Sequence, residues 1–227
     1  MVKLQYLLRA PTTESPGAFR DRALRCGARL LAAGPARLKL TFTGEEAPRL
    51  SVVPYRRDRV ALVSLWDEAA PAAAAARWSP LLRREGATAG YRVEESVPRA
   101  YRREWLDDSE TPGIGMLTLL HRRRGLADAE FLRRWHDGHS HLALEVHPLW
   151  SYVRNVVEGS VLDASPPLCG IVEEQFRTRG ELLDPVRLFG GWRRMVPNMA
   201  RVWRDVRGFL DLAALENYLV TERWLWS

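Results

Sequence analysis

The sequence predicts an α+β fold, two tandem β-α-β-β-α-β repeats of the ferredoxin-like kind packed as an intramolecular α/β barrel. Three observations carry this expectation. Val2–Arg9 (VKLQYLLR) is echoed by Gly115–Arg122 (GMLTLLHR). After each of these runs the hydrophobic periodicity switches between strand-like and helix-like in the same order. A polar segment, Arg99 to Pro112, then divides the chain, punctuated by Asp107-Asp108-Ser109 and Pro112-Gly113. The expected layout is a first repeat over 1–98, a linker over 99–112 and a second repeat over 113–227.

Taken in order, the first repeat opens with strand Val2–Arg9 and a helix over Pro16–Ala33. In that helix Phe19, Ala23, Leu24, Leu30 and Leu31 recur near helical spacing. Strands follow at Arg37–Phe42 and Arg59–Trp66, a helix at Pro71–Arg84 and a closing strand at Tyr91–Ser96. The second repeat runs through strand Gly115–Arg122 to a helix beginning at Leu126 or Ala127, striped by Phe131, Leu132 and Trp135. Strands at Leu149–Val157 and Leu168–Phe176, a helix over about Arg179–Phe189 and a last strand Glu216–Trp226 complete it. An additional segment, Gly190 to Asp211, has no counterpart in the first repeat. A lid, a helix over a pocket or plain packing all suit it. An antiparallel sheet covered by helices on one face needs a partner for the other. Two copies in one chain supply it by packing sheet against sheet.

Composition excludes several classes. With 46% hydrophobic and 27% charged residues among 227, the chain is globular rather than disordered. No run approaches the roughly 18 apolar residues of a membrane span. The start, Met1-Val2-Lys3-Leu4, carries no signal-peptide pattern, and Cys26 and Cys169 make no disulfide framework, so a reduced cytoplasmic protein is expected. The net charge of +6 raises the question of nucleic acid. Yet only Lys3 and Lys39 are lysines, and the arginines are scattered beside acids, as in Arg20-Asp21 and Arg204-Asp205. A solvated basic face is the reading, with neither nucleic acid nor membrane as partner.

The second half carries a resemblance. Leu119-Leu120-His121-Arg122-Arg123-Arg124-Gly125-Leu126, then Phe131, Trp135 and His139, then Tyr152-Val153-Arg154-Asn155, resembles the EthD-like family of the dimeric α/β-barrel superfamily. Gly170-Ile171-Val172-Glu173 with Phe176 is similar to the family's third strand, and Asp205–Asp211 with Thr221-Glu222 to its closing portion. The resemblance implies a pocket between the sheet and helices of a repeat. It also implies chemistry on small, mostly aromatic molecules: cofactor-free oxygenation, cyclisation, decarboxylation or isomerisation. With Phe19 aligned on Phe131, Ala23 stands where the second half has Trp135, and Gly27 where it has His139. The first copy has the shape of the unit without its polar equipment.

The histidines are the sharpest local feature. His136, His139, His141 and His147 cluster, and on a helix Trp135 and His139 lie at i and i+4 on one face. An imidazole titrates near neutrality and suits proton transfer in a partly dry pocket. The bland alternative is a helix cap. A metal site is the competing reading, but i, i+3 and i+5 cannot converge from one continuous helix, so no metal is expected. On the strand Leu149–Val157, Tyr152 and Asn155 fall on opposite faces, so they need not line one pocket. Glu173 and Glu174 likewise point to opposite sides, and Glu222 lies within the closing strand. A glutamate beside His139 would orient its ring. Neither cysteine is placed as a nucleophile, and Gly113-Ile114-Gly115 precedes a strand rather than following one, which excludes a dinucleotide fingerprint.

The candidate set is therefore His139, Tyr152 and Asn155 as catalytic, with Trp135, Glu173 and Glu222 binding substrate, and no cofactor. The expected function is acid/base catalysis by His139 on a small hydrophobic or aromatic metabolite, by cyclisation, decarboxylation, dehydration or oxygenation. A non-catalytic accessory or ligand-carrying protein is the alternative. The assembly expected is a monomeric pseudo-dimer or a homodimer.

Overall fold

A computed structural model describes residues 1–44 and 46–227. The first half runs β1 (Val2–Arg9), α1 (Pro16–Ala32), β2 (Arg37–Phe42), β3 (Val60–Asp67), α2 (Pro71–Arg84) and β4 (Ala87–Arg99). The short β5 (Ser109–Glu110) follows. The second half runs β6 (Ile114–Leu120), α3 (Asp128–Arg133), a π-helical turn (Arg134–His139), α4 (Ser140–Val146), β7 (Ser151–Ser160) and β8 (Gly170–Phe176). It ends with α5 (Arg179–Leu183), α6 (Pro185–Leu188), α7 (Met195–Val206) and β9 (Glu216–Trp226).

The strands pair in the order β2-β3-β1-β4-β7-β8-β6-β9, and β9 returns to β2. Every ladder is antiparallel. The expected architecture is corrected by this pairing. The chain forms one closed eight-stranded antiparallel barrel with β5 added on β9, not two ferredoxin-like sheets stacked as a dimeric α/β barrel. The reason lies in the edges. Stacking two sheets face to face leaves four edge strands with unpaired backbone groups, whereas joining β4 to β7 and β2 to β9 satisfies them.

Side-chain alternation along these strands sorts the protein into three interiors. In β1, Leu4, Tyr6 and Leu8 face outward beneath α1 and α2, where they meet Phe19, Ala23, Cys26, Leu30, Trp78 and Leu82. That outer layer is filled. A Cβ on Gly27 would lie 2.4 Å from Leu225 Cδ1 and 2.8 Å from Leu40 Cδ1, so α1 sits too close to the sheet for a side chain at this position. Alternate residues of the same strands point into the barrel. One end of it is apolar, with Leu7, Val60, Leu62, Tyr91, Leu117, Ile171, Tyr218 and Val220.

The other end is a buried ionic network. Lys39 Nζ lies 2.8 Å from Glu173 Oε2 and 3.1 Å from Glu222 Oε2. Lys3 Nζ donates to Glu95 Oε1 at 2.6 Å and to Asn155 Oδ1 at 2.7 Å. Glu173 also accepts from Gln5 at 3.1 Å, Thr41 at 3.1 Å and Asn155 at 3.2 Å. Burial alone would raise the Glu173 carboxyl, but the Lys39 and Lys3 charges and these hydrogen bonds hold it at about 2. Each half supplies members of this network, so it fixes one half against the other.

Candidate active site

The outer layer of the second half is hollow. Between the barrel wall and the helices lies a cavity of about 320 Å³. Its floor is the outward face of β6, β7 and β8, including Met116, Thr118, Tyr152, Val172 and Glu174. Trp135 and His139 line it from the π-helical turn, and Met199, Val202, Trp203 and Val206 from α7. The segment 190–211 thus forms a helix over the cavity. The first half contributes as well: Val52, Val53 and Pro54 line the same space. That loop is held by Arg56 N–H donating to Asn217 O at 2.8 Å and Asn217 Nδ2 donating to Pro54 O at 3.4 Å.

The plain α-helix expected through Trp135 and His139 is a π-helical turn instead. Such turns carry one extra residue per hydrogen-bonded ring and recur at functional sites. His139 Nδ1 meets Asp205 Oδ2 of α7 at 2.7 Å. A carboxylate only accepts, so Nδ1 donates, and Nε2 has no hydrogen-bond partner among the described residues. Phe209 packs beside the ring at 5.4 Å between centroids.

Trp135 is fully buried and forms an aromatic wall with Phe131 at 5.5 Å. Its ring lies on Gly170, where a Cβ would come within 2.5 Å of Trp135 Cη2. Gly170→Ala is expected to push the indole into the cavity and cost about 1–3 kcal/mol by overpacking. Thermal unfolding would show this as a fall of several degrees in Tm.

Tyr152 and Glu174 are direct cross-strand partners on β7 and β8, so they share the cavity face. Burial pushes the Tyr152 hydroxyl up to about 12, and it remains a neutral phenol. It meets Ser140 Oγ at 3.5 Å, whose hydrogen goes to Trp135 O and whose oxygen accepts from Arg154, and it lies against the Trp135 side chain. Glu174 is buried, has no hydrogen bond or ion pair among the described residues, and burial alone raises it to about 7. The hydroxyl of Tyr55, near enough to feel the Glu174 charge, is also buried without a partner. His147 donates Nδ1–H to Leu188 O at 2.9 Å, and burial lowers it to about 4, so it is a neutral acceptor in the same cavity.

Of the residues singled out by sequence, His139, Tyr152 and Trp135 come together here. Asn155, Glu173 and Glu222 point through the opposite face of the sheet into the barrel, where their polar atoms are taken up by Lys3, Lys39, Tyr101 and Thr111. Asp205, Glu174 and His147 are the site residues that sequence reasoning did not select. Glu174 is identified by the β7–β8 register, which makes it the cross-strand partner of Tyr152 and which neither strand encodes by itself. Among the described residues, no group of three or more His, Cys, Asp or Glu side chains is arranged to hold a metal ion.

Neither a protein-family model nor a curated protein matches the chain. Among solved structures, an anthrone oxidase-like protein superposes with a TM-score of 0.59 at 10% identity, over 98% of this chain and 90% of its own. A Fusobacterium nucleatum protein described as a candidate monooxygenase gives a TM-score of 0.52 at 7% identity, over 99% of this chain and 91% of its own. At these identities the likeness is one of fold.

Proposed function

We propose that the protein is an oxygenase-type enzyme acting on a small, largely apolar aromatic molecule that carries one enolisable or phenolic position. The observation that supports this reading is that His139, oriented by Asp205, and the unpartnered Glu174 line the same apolar cavity. An imidazole with a free Nε2 is a base at neutral pH, and a carboxyl titrating near 7 is an acid. The names of the two structural neighbours point in the same direction.

In this reading the aromatic ligand lies against Trp135 and the Met and Val side chains of α7. His139 Nε2 takes a proton from an activated CH2, and Glu174 donates a hydrogen bond to the oxygen on which the charge settles. The resulting carbanion passes its electrons to dioxygen. A C–O bond forms, the O–O bond breaks, one oxygen remains on carbon as a carbonyl, and the other leaves as water with the two hydrogens of the CH2. Tyr152, held as a phenol whose hydrogen is directed at Ser140 Oγ, turns its oxygen lone pairs to the floor as an acceptor. The EthD-like resemblance of the second half agrees with this site, since it implies a pocket between sheet and helices.

The test is oxygen uptake with a panel of fused aromatic ketones bearing an acidic CH2. Consumption of one dioxygen per ketone formed is the expected result. Ligands that raise the melting temperature yet are recovered unchanged under oxygen would make the protein a ligand carrier and overturn the catalytic reading.

A further inference from the structure

Exposed apolar side chains concentrate on the two segments that bound the cavity mouth. On the α7 side these are Trp192, Val196 and Trp203, exposed by 72%, 59% and 55%. On the first-half loop they are Leu50 and Val52, exposed by 93% and 44%. Trp203 and Val52 also line the cavity, so both stand where it opens to solvent. Arginines accompany each group. The Arg193 guanidinium sits 5.0 Å over the Trp192 ring and Arg207 5.9 Å over Trp203. Arg49, Arg56 and Arg57, all exposed, flank Leu50 and Val52. Of the acids nearby, Asp58 is paired with Arg9, Glu145 with Arg201 and Asp205 with His139, which leaves the exposed Glu46 among the loop arginines, outnumbered by Arg49, Arg56 and Arg57.

We propose that this rim, with Trp192 and Trp203 projecting and the arginines around them, docks on an anionic membrane surface with the cavity mouth facing the lipid. Indole rings settle at the boundary between headgroups and acyl chains, and arginines beside them pair with lipid phosphates. The patch consists of side chains projecting from a helix flank and a loop rather than a concave groove, which fits a fluid surface better than a folded acidic protein. An apolar ligand would then pass between membrane and cavity without crossing water. The absence of a membrane-crossing helix among the described residues leaves such peripheral docking open.

The experiment is co-sedimentation of the full chain with vesicles of equal phosphatidylglycerol and phosphatidylcholine, and with phosphatidylcholine alone. Wild type is expected in the pellet with anionic vesicles and in the supernatant otherwise. Binding should weaken about tenfold in 0.5 M salt. Trp192→Ala with Trp203→Ala, and separately Arg193→Glu with Arg207→Glu, should each weaken it about tenfold at unchanged melting temperature. If the tryptophan pair disturbs folding, the arginine pair decides. Wild type remaining in solution, or variants bound as tightly as wild type, would overturn the proposal. So would a dimer in ultracentrifugation that the tryptophan variant dissociates, which assigns the rim to a second copy. Binding to polyglutamate as tight as to anionic vesicles would assign it to an acidic protein.

Discussion

His139→Ala is expected to lower kcat/KM by about 10²–10⁴-fold, the range over which a positioned general base contributes. The substitution removes the one imidazole in the cavity whose Nδ1 is fixed by a carboxylate and whose Nε2 is unclaimed. Asp205 acts through that ring as a positioning residue. Asp205→Asn should reproduce part of the loss in kcat and leave KM within about twofold, because the ligand is gripped by the apolar walls and not by Asp205. Steady-state kinetics on both variants separates the roles. Turnover by His139→Ala within threefold of wild type would remove the histidine from the chemistry, and a rise in KM alone would make it a binding group.

Glu174→Gln has the second large effect, and its two parts have opposite sign. Turnover should fall where a protonated carboxyl is required, and the wild-type loss of activity above about pH 7 should vanish from the variant's profile. Stability should rise. In the folded state burial holds the Glu174 carboxyl protonated up to about pH 7, whereas in the unfolded chain it ionises near its ordinary value of 4.5. Below about pH 4.5 both states bind the proton and the contribution is fully present. Between there and pH 7 only the unfolded state ionises, so stability falls as pH rises, and above 7 the loss is complete at about 3 kcal/mol. Urea unfolding at pH 5 and pH 8 should therefore show the variant gaining on wild type by about that amount at the higher pH. A difference that does not change with pH would mean that Glu174 is solvated in the folded protein. Loss of stability for function at one buried carboxyl is a familiar trade.

How much of this was legible in the sequence depends on the range of the interaction. Val2–Arg9, Pro71–Arg84 and Glu216–Trp226 announce themselves because hydrophobic periodicity is local, and the structure places a strand, a helix and a strand over those residues. The pairing of Trp135 with His139 on one stretch of helix was equally local. The π-helical turn was not, since nothing in Arg134–His139 sets the extra residue apart from an ordinary turn.

The order of elements and the position of an imidazole beside a tryptophan are thus written in the chain itself, because neighbours along the backbone determine them. Tertiary structure alone decided three things. Edge-to-edge pairing of β4 with β7 and β2 with β9 made one closed sheet of two halves. Strand parity, fixed only once β7 and β8 pair, sent Glu174 and Tyr152 to the cavity and Glu173, Asn155 and Glu222 to the ionic interior. The packing of α7 then brought Asp205 to His139 across 66 residues of sequence. Each of these is a contact between distant segments, and such contacts depend on closure and register that no single segment encodes.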